Sequence, residues 1–516
     1  MVAGPPAHPH RRWWVLAVLC LSVLLVSVDN TIVNVALPTL AAELSASTSE
    51  LQWVVDGYTL VFAALLLLGG HLGDRFGRLR TLQTGLVLFG LTSLLAALAG
   101  TTGELVAARA AMGVAAALVF PATLALLVAT FPDRRERATA IGIWSAVTGL
   151  SVAVGPVSGG LLLEHFAWGS VFLVNLPLVA LALGAGRALL RESREPVHGP
   201  FDGVGVLGSV AGIGLLVWTT IEAPGRGWTA PLTLAGYAAT ALLLAGFVWW
   251  EAHRPDPLLD VRLFTDRRVS AASGAIALAF FALFGFIFLI TQYFQAVLGY
   301  GTLAAGVGTL PFALVIGATS PLAVLLVRRL GTAVVVTGGL LVMAAGFTVA
   351  AGAGVDSAYW GRIVVAMVLM AGGLGLVMSP ATETVMGALR TEQAGAGSAV
   401  NDTVREVGGT LGVAVVGSVM STVYAPAVRD GLAGSPAAVR DAAGDSVVAG
   451  LAVAARLPDG AAAADVVRQS FVDGLSAGSW VCAAACAAGA LAAAVWLPAH
   501  RPVAVAVPAP EPVAAA

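Results

Sequence analysis

The sequence predicts an all-α transmembrane protein of fourteen spans, and three observations carry that prediction. Of its 516 residues 58% are hydrophobic and only 11% charged, against about 25% charge in soluble globular domains. The apolar residues gather into runs of about 20, the length a helix needs to cross a bilayer. The basic residues outside those runs then collect between alternate runs, as they do in membrane proteins with a fixed orientation.

The runs, bounded by Arg, Pro or Gly-rich breaks, cover residues 13–37, 51–72, 79–99, 105–128, 138–163, 168–189, 203–221, 231–250, 269–294, 305–327, 332–353, 362–378, 400–424 and 476–497. The first follows Arg11 and Arg12 without a small-residue cleavage site behind it, so it reads as a retained helix rather than a signal peptide. With the N-terminus inside, the inner connections and tails collect Arg11, Arg12, Arg75, Arg78, Arg80, Arg134, Arg135, Arg137, Arg187, Arg191, Arg194, Arg254, Arg262, Arg267, Arg268, Arg328, Arg329, Arg390 and Arg501, whereas the short outer loops hold Arg226. Both termini are therefore expected in the cytoplasm. All 27 basic residues are Arg, and with abundant Ala and Gly this composition reads as a GC-rich bacterial genome and an inner (plasma) membrane.

The same composition excludes several functions. A net charge of −2 offers no basic field for nucleic acid. No phosphate-binding Gly-Lys-Ser loop and no HExxH occur, and the seven His scatter mainly through tails and loops, so no nucleotide, metal, cofactor or enzymatic role is expected. Cys20, Cys482 and Cys486 fall inside apolar runs, where thiols act as small hydrophobes. Residues 425–474, rich in Ala and Asp, form the longest extramembrane stretch, with room for a short amphipathic helix and no His or Cys to begin a catalytic site. Residues 502–516 (PVAVAVPAPEPVAAA) read as disordered Pro/Ala low complexity.

Charges inside a bilayer cost about 2.5–3.5 kcal/mol each and are functional candidates by default. Asp29 lies in the first run, Asp56 near the outer end of the second and Arg109 a few residues into the fourth. Counting about 1.5 Å per residue puts Asp29 about 14 Å and Asp56 about 8 Å from the outer boundary, near enough to line one cavity. A carboxylate there alternates between protonated and ionised forms as its surroundings change, the minimum chemistry of a proton-coupled carrier. Each has a plainer alternative: a structural hydrogen-bond network with Asn30, Thr31 and Asn34 for Asp29, a hydrated helix end for Asp56, and snorkelling to the interface for Arg109. Trp53, Tyr58, Phe62, Trp144, Phe288, Tyr293 and Phe294 are candidates for an adaptable pocket, with lipid or packing contacts as the alternative.

Three further stretches stand out. In the fifth run, Gly142 precedes a stripe of Ser151, Gly155 and Gly159 at four-residue spacing, suited to close helix approach, with a Pro156 bend and Gly160 beside it. The connection GGHLGDRFGRLR holds Gly70, Gly73 and Gly77 for tight turns and Asp74, Arg75 and Arg78 for a breakable cytoplasmic latch. Near the inner ends of the twelfth and thirteenth runs, Glu383, Asp402, Arg405 and Glu406 form a candidate cytoplasmic network, for which a structural ion-pair cluster is the slightly favoured reading.

These residues resemble a known family. GHLGDRFGRLR is similar to the signature between helices 2 and 3 of the major facilitator superfamily, and GPVSGG resembles its antiporter motif. VDNTIVNVALP (28–38), LQWVVDGYTL (51–60), FLVNLP (172–177) and GSAVNDTVREVGGTLGVAVVGSV look like the fourteen-helix drug:proton antiporter branch, the EmrB/QacA type. The resemblance implies two six-helix bundles, 13–190 and 269–498, rocking about a central site. Two extra helices lie in a linker of 191–268, with cytoplasmic tails at 1–12 and 499–516. It implies proton coupling at Asp29, Asp56 and Arg109, a small amphipathic organic substrate, and drug or antibiotic efflux across the cytoplasmic membrane. A narrow exporter or importer of a metabolite or self-made antibiotic, or a non-transporting receptor or scaffold, would keep the same fold. Three positions depart from the pattern: Met112 stands where Gln usually precedes Gly113, Ser151 replaces a Gly, and Gly169 and Ser170 interrupt the usual basic-aromatic pair after Trp168. The tenth helix carries no acidic residue, which argues against dicationic substrates.

Overall fold

The computed structural model describes residues 9–194, 202–255, 257, 259–387 and 394–497. The tail 499–516, with Arg390 and Arg501, lies outside the described residues, as do residues 1–8 of the N-terminal tail and the side chains of Arg134 and Arg135. Within them the chain is helical and has no strand. The elements are α1 (Pro9–Glu43), α2 (Thr48–Phe76), α3 (Arg78–Ala97), α4 (Thr102–Thr130), α5 (Arg134–His165), α6 (Ser170–Leu173), α7 (Asn175–Leu189), α8 (Gly203–Arg226) and α9 (Pro231–His253). They continue as α10 (Arg267–Gln292), α11 (Thr302–Val307), α12 (Leu310–Leu330), α13 (Thr332–Ala351), α14 (Val364–Gly387), α15 (Ala394–Gly431), α16 (Ala437–Gly444), α17 (Val447–Ala454) and α18 (Gly460–Trp496). Among the described residues fourteen segments are long and apolar enough to cross a membrane, with α6–α7 and α11–α12 each forming one broken segment.

Helix starts follow local chemistry. Ser47 and Glu50 form a reciprocal cap at α2, and the Thr101 hydroxyl accepts the Glu104 amide at 3.2 Å. Asp202 accepts the Gly205 amide at 2.9 Å and the Trp250 indole N–H at 3.0 Å, and it lies 3.3 Å from the Arg254 guanidinium. Burial pushes this carboxyl up, but those donors and Arg254 outweigh it and hold Asp202 below the ordinary carboxylate range.

Two groups of helices emerge. In one, α1 packs on α4, α5 and α7, and α4 on α2 and α3; in the other, α10 packs on α14, α15 and α18, and α13 on α14 and α18. Glycines set the closest crossings, because a Cβ at Gly113 would lie 2.6 Å from the Tyr58 carbonyl, and one at Gly412 2.1 Å from that of Phe281. The seam between the groups is the α2–α15 contact, and α8 lies along it. Val217 and Ile221 pack with Leu60 of α2 and Ala414 of α15, and the Ser418 hydroxyl donates to Thr220 O at 2.8 Å.

Hydrogen bonds between the groups crowd toward the end that carries the α1–α2 turn. The first helix was expected to stop before Pro38, yet α1 runs on to Glu43. Proline removes the N–H that would bond the Asn34 carbonyl, and that carbonyl instead accepts Thr291 Oγ1 of α10 at 2.8 Å. The next carbonyl, Val35, accepts Gln295 Nε2 at 2.9 Å. The stretch 425–474, expected outside the membrane with room for a short amphipathic helix, is largely helical. α15 continues to Gly431 and α18 begins at Gly460, with two short helices between them, because alanine keeps helix propensity where Asp and Arg lower hydropathy. Tyr424 donates to the Ala443 and Ser446 carbonyls at 3.0 Å, while the amide and hydroxyl of Thr48 donate to Asp445 O at 2.8 and 2.9 Å. This pins the connection to the start of α2.

Candidate functional site

Asp29 and Arg109 meet inside the first group of helices, both fully buried. The longer α1 places Asp29 about 21 Å from its end rather than about 14 Å. Arg109 Nη1 donates to Asp29 Oδ2, and Nε donates to Val54 O at 3.1 Å. The guanidinium carbon stands 4.3 Å from the Tyr58 ring centroid and 6.0 Å from that of Phe172. Asn175 Nδ2 completes the cluster by donating to Asp29 Oδ1 at 3.0 Å and Ser93 Oγ at 3.2 Å. Asn175 is the Asn of FLVNLP, to which sequence reasoning had given no role. Arg109 does not snorkel: it is 0% exposed and held on several sides. A buried pair of this kind gains little net stability while intact, but removing one member leaves an uncompensated charge.

Asp56 takes no part in the hydrogen bonds of the Asp29 cluster among the described residues. It is fully buried in the α2–α15 seam, not hydrated at a helix end. The Thr59 hydroxyl reaches Asp56 Oδ1 at 3.5 Å, Thr410 donates to Thr59 at 3.0 Å, and Oδ2 has no partner. One turn nearer the closed end, Gln52 Nε2 donates to Val413 O at 3.1 Å and Ala414 O at 2.9 Å. The result is a polar ladder along the seam, with Gln52, Asp56 and Thr59 of α2 in order from the closed end.

The small residues of α5 serve two neighbours. Toward α1, Thr31 Oγ1 donates to Ser151 O at 3.0 Å, and Cβ atoms at Gly155 and Gly159 would collide with Thr31 and Ile32. Toward the second group, a Cβ at Gly160 would lie 2.6 Å from Thr302 O, while Gly306 of α11 sits against the Pro156 carbonyl. Gly142 takes no part, since nothing lies within 4 Å of where its Cβ would be.

In the α2–α3 connection, Asp74 pairs with Arg78 at 2.8 Å, Gly70 faces Pro121, and Gly73 lies against Arg78 and Thr81. Arg75 stands 5.7 Å from the Phe76 ring. Gly77 adopts φ +112°, and Glu192 occupies the space a side chain there would need. From that position Glu192 accepts the amides of Leu79 at 3.0 Å and Arg80 at 3.3 Å, capping α3. Glu192 carried no signal in the sequence, since its partners lie more than a hundred positions away.

The expected cytoplasmic network is only partly assembled. Asp402 pairs with Arg405 at 3.4 Å, and Arg405 covers the Phe280 ring at 4.6 Å. Glu383 is exposed and outside these contacts. Glu406 reaches across the groups instead, accepting Asn30 Nδ2 of α1 at 3.5 Å. The cause is helix length, since α15 starts at Ala394, which sets Glu406 about 18 Å along it. Beside Asn30, Thr31 borders a small, partly open cleft whose walls include Val152, Pro156, Phe286, Phe312 and Met367. Its aromatic wall is Phe286 and Phe312, and none of the seven expected aromatic residues lines it.

Comparison with known proteins follows the same lines. The sequence profile described as the Major Facilitator Superfamily matches residues 19–413. The chain is 36% identical over 490 residues to the multidrug efflux pump LfrA of Mycolicibacterium smegmatis, covering 92% of this chain and 95% of that one. It is 37% identical over 434 residues to the puromycin resistance protein of Streptomyces alboniger, covering 84% and 86%. Among solved structures, it matches a bacterial homologue of the human lysosomal transporter Spinster, crystallised inward-facing and unoccupied. There the TM-score is 0.66 at 17% identity, over 95% of this chain and 98% of the other, a likeness of fold.

Proposed function

The chain belongs to the major facilitator superfamily as a multi-pass membrane protein, and from that premise we propose that it exports small amphipathic drugs or antibiotics from the cytoplasm in exchange for protons. The likeness to proteins named for multidrug efflux and puromycin resistance, along most of each chain, carries the export reading. The buried Asp29–Arg109 pair supports the proton part. A proton arriving on Asp29 cancels the charge that holds Arg109, which then keeps only the Val54 carbonyl and the Tyr58 face, so protonation and helix position become linked. Asp56 does the same at the seam, where a proton on its carboxylate changes the acceptor facing Thr59 and, through it, Thr410. One charge moving down 100 mV supplies about 2.3 kcal/mol, enough to bias such a two-state machine.

In this reading residues 13–190 and 269–498 are the two rocking halves, and α8–α9, within 191–268, strap the seam between them. The Arg-rich ends face the cytoplasm, with both termini, and the membrane is the bacterial plasma membrane. The end closed by Thr291, Gln295, Gly160 and Gln52 is then the outer gate, and the chain is captured facing inward. The Gly155 to Gly160 contacts and the Asp74–Arg78 and Glu192 contacts are the parts that must slide or break on switching. A pump dedicated to one compound is the second reading, favoured by a relative named for a single antibiotic.

The test is a growth-inhibition panel in a host stripped of its own pumps, followed by dye efflux with and without a protonophore. Resistance to several amphipathic compounds that the protonophore abolishes is expected. Efflux unchanged by the protonophore and by Asp29→Asn would reject proton coupling through Asp29, and movement of one compound alone would favour the dedicated pump.

A further inference from the structure

Pro224 sits in the last turn of α8 and lacks the N–H that would bond the Thr220 carbonyl one turn back. Within a membrane a carbonyl left without a donor is costly, because lipid supplies none. Ser418 of α15, itself 0% exposed, fills the gap by donating to Thr220 O at 2.8 Å. One turn further along α15, Thr422 Oγ1 accepts the indole N–H of Trp228, two residues past the end of α8, at 3.0 Å. Two hydrogen bonds therefore fasten α8 to the second group of helices at the closed end.

The opposite end is tied to the same group. There α8 is held to α9, where Asp202 accepts the Trp250 N–H at 3.0 Å. Arg262, in the single 3₁₀ turn Val261–Thr265, donates to carbonyls at the end of α9, Ala252 O at 3.2 Å and Arg254 O at 2.7 Å. Ser270 of α10 donates in turn to Phe264 O of that turn.

The contact with the first group is of another kind. Among the described residues α8 and α2 share no hydrogen bond; they meet through apolar side chains, Val217 and Ile221 against Leu60, with Trp53 and Gly214 beside them. Apolar contact is non-directional and survives sliding, whereas a hydrogen bond is lost within about 1 Å of displacement.

Resting on the reading of two rocking halves, we infer that α8 and α9 travel with the second half, and that α2 slides beneath α8 each time the closed end opens. The seam bonds that must break are then those of α2 with α15, from Gln52 to Val413 O and Ala414 O. Meanwhile α8 stays in place on α15 and keeps covering this flank of the seam.

The test is spin-label distance measurement on the full chain in lipid nanodiscs, with labels at Ala42 near the α1–α2 turn, Gly225 of α8 and Asp430 of α15. Ala42 and Asp430 are exposed, and nothing lies within 4 Å of where a Gly225 side chain would start. The parent is compared with Gly160→Leu and Gly306→Leu, each of which forces α5 and α11 apart, and melting temperatures check folding. The Ala42–Asp430 and Ala42–Gly225 distances should lengthen together in both variants, while Gly225–Asp430 keeps one value. A constant Ala42–Gly225 distance with a changing Gly225–Asp430 distance would attach the inserted pair to the first half and overturn the inference, as would changes in both. Removing the two fasteners, Ser418→Ala with Trp228→Phe, should broaden the Gly225–Asp430 distribution; an unaltered one overturns their role. If Ala42–Asp430 lengthens in neither variant, the rocking reading is wrong and this inference falls with it. Absence of proton-driven efflux, with all three distances behaving as expected, would reject export and leave the inference standing.

Discussion

Replacing Asp29 by Asn removes the carboxylate paired with a guanidinium that is 0% exposed. Arg109 retains the Val54 carbonyl at 3.1 Å and the Tyr58 face at 4.3 Å, but neither carries a net charge, and its Nη2 already lacks a partner. Breaking such a pair from either side costs about 3–5 kcal/mol, so Asp29→Asn and Arg109→Gln should each destabilise the protein by that amount. The two together leave two amides and Asn175 within reach of one another, with no orphaned charge. Neutral replacements of buried pairs are often tolerated, so the double variant should lie within about 2 kcal/mol of the parent and above both single variants. Thermal unfolding of the four proteins in nanodiscs reads the cycle. A double variant as unstable as the summed single variants would show that the charges do not depend on each other. Proton-driven efflux should be lost in all three variants, which separates coupling from stability.

Other expectations follow from the closed end and from the inserted helices. Gly160→Leu, whose Cβ would meet Thr302 O at 2.6 Å, should hold that end open and cut transport at least about ten-fold, whereas Gly142→Leu, with open space around it, should leave transport near the parent level. Vesicle uptake normalised to protein in the membrane checks both. Pro38→Ala restores an N–H that recaptures the Asn34 carbonyl from Thr291. The loss of that bond, about 1 kcal/mol, should reduce the closed-to-open ratio about five-fold, read as a shift toward longer spin-label distances between α1 and α10. Asp202, held below the ordinary value of 3.8, stabilises the start of α8 above that pH and loses the contribution as pH falls through its depressed value. The melting-temperature gap between the parent and Asp202→Asn should therefore shrink below about pH 4; a gap independent of pH would deny the carboxylate that role.

Helix number could be read from hydropathy, because burying an apolar run in lipid constrains length directly. Helix ends could not, because Pro38 stops a helix only where its freed carbonyl finds no other donor, and here Thr291 waits on another helix. Asp29, Arg109 and Asp56 stood out singly as charges in apolar runs. Their pairing did not, since nothing in a run of apolar residues tells which face of α1 meets α4, and Asp56 turned instead to the seam. Glu406 was read with its neighbours at helical spacing, which correctly joined Asp402 to Arg405. Six more residues of helix at the start of α15 moved it from an expected cytoplasmic edge to the central seam. Asn175 and Glu192 were missed for one reason: each acts through partners far away in sequence, at helix faces fixed only by packing.

The account stands most directly on a drug-driven proton flux. The purified chain, reconstituted in proteoliposomes with a pH-sensitive dye inside and no imposed pH gradient, receives an inward gradient of an amphipathic substrate. The account predicts that drug entering will drive protons out, so that the lumen turns alkaline, and that Asp29→Asn abolishes the change. Drug movement with no proton flux, or with protons moving in the same direction, would contradict it.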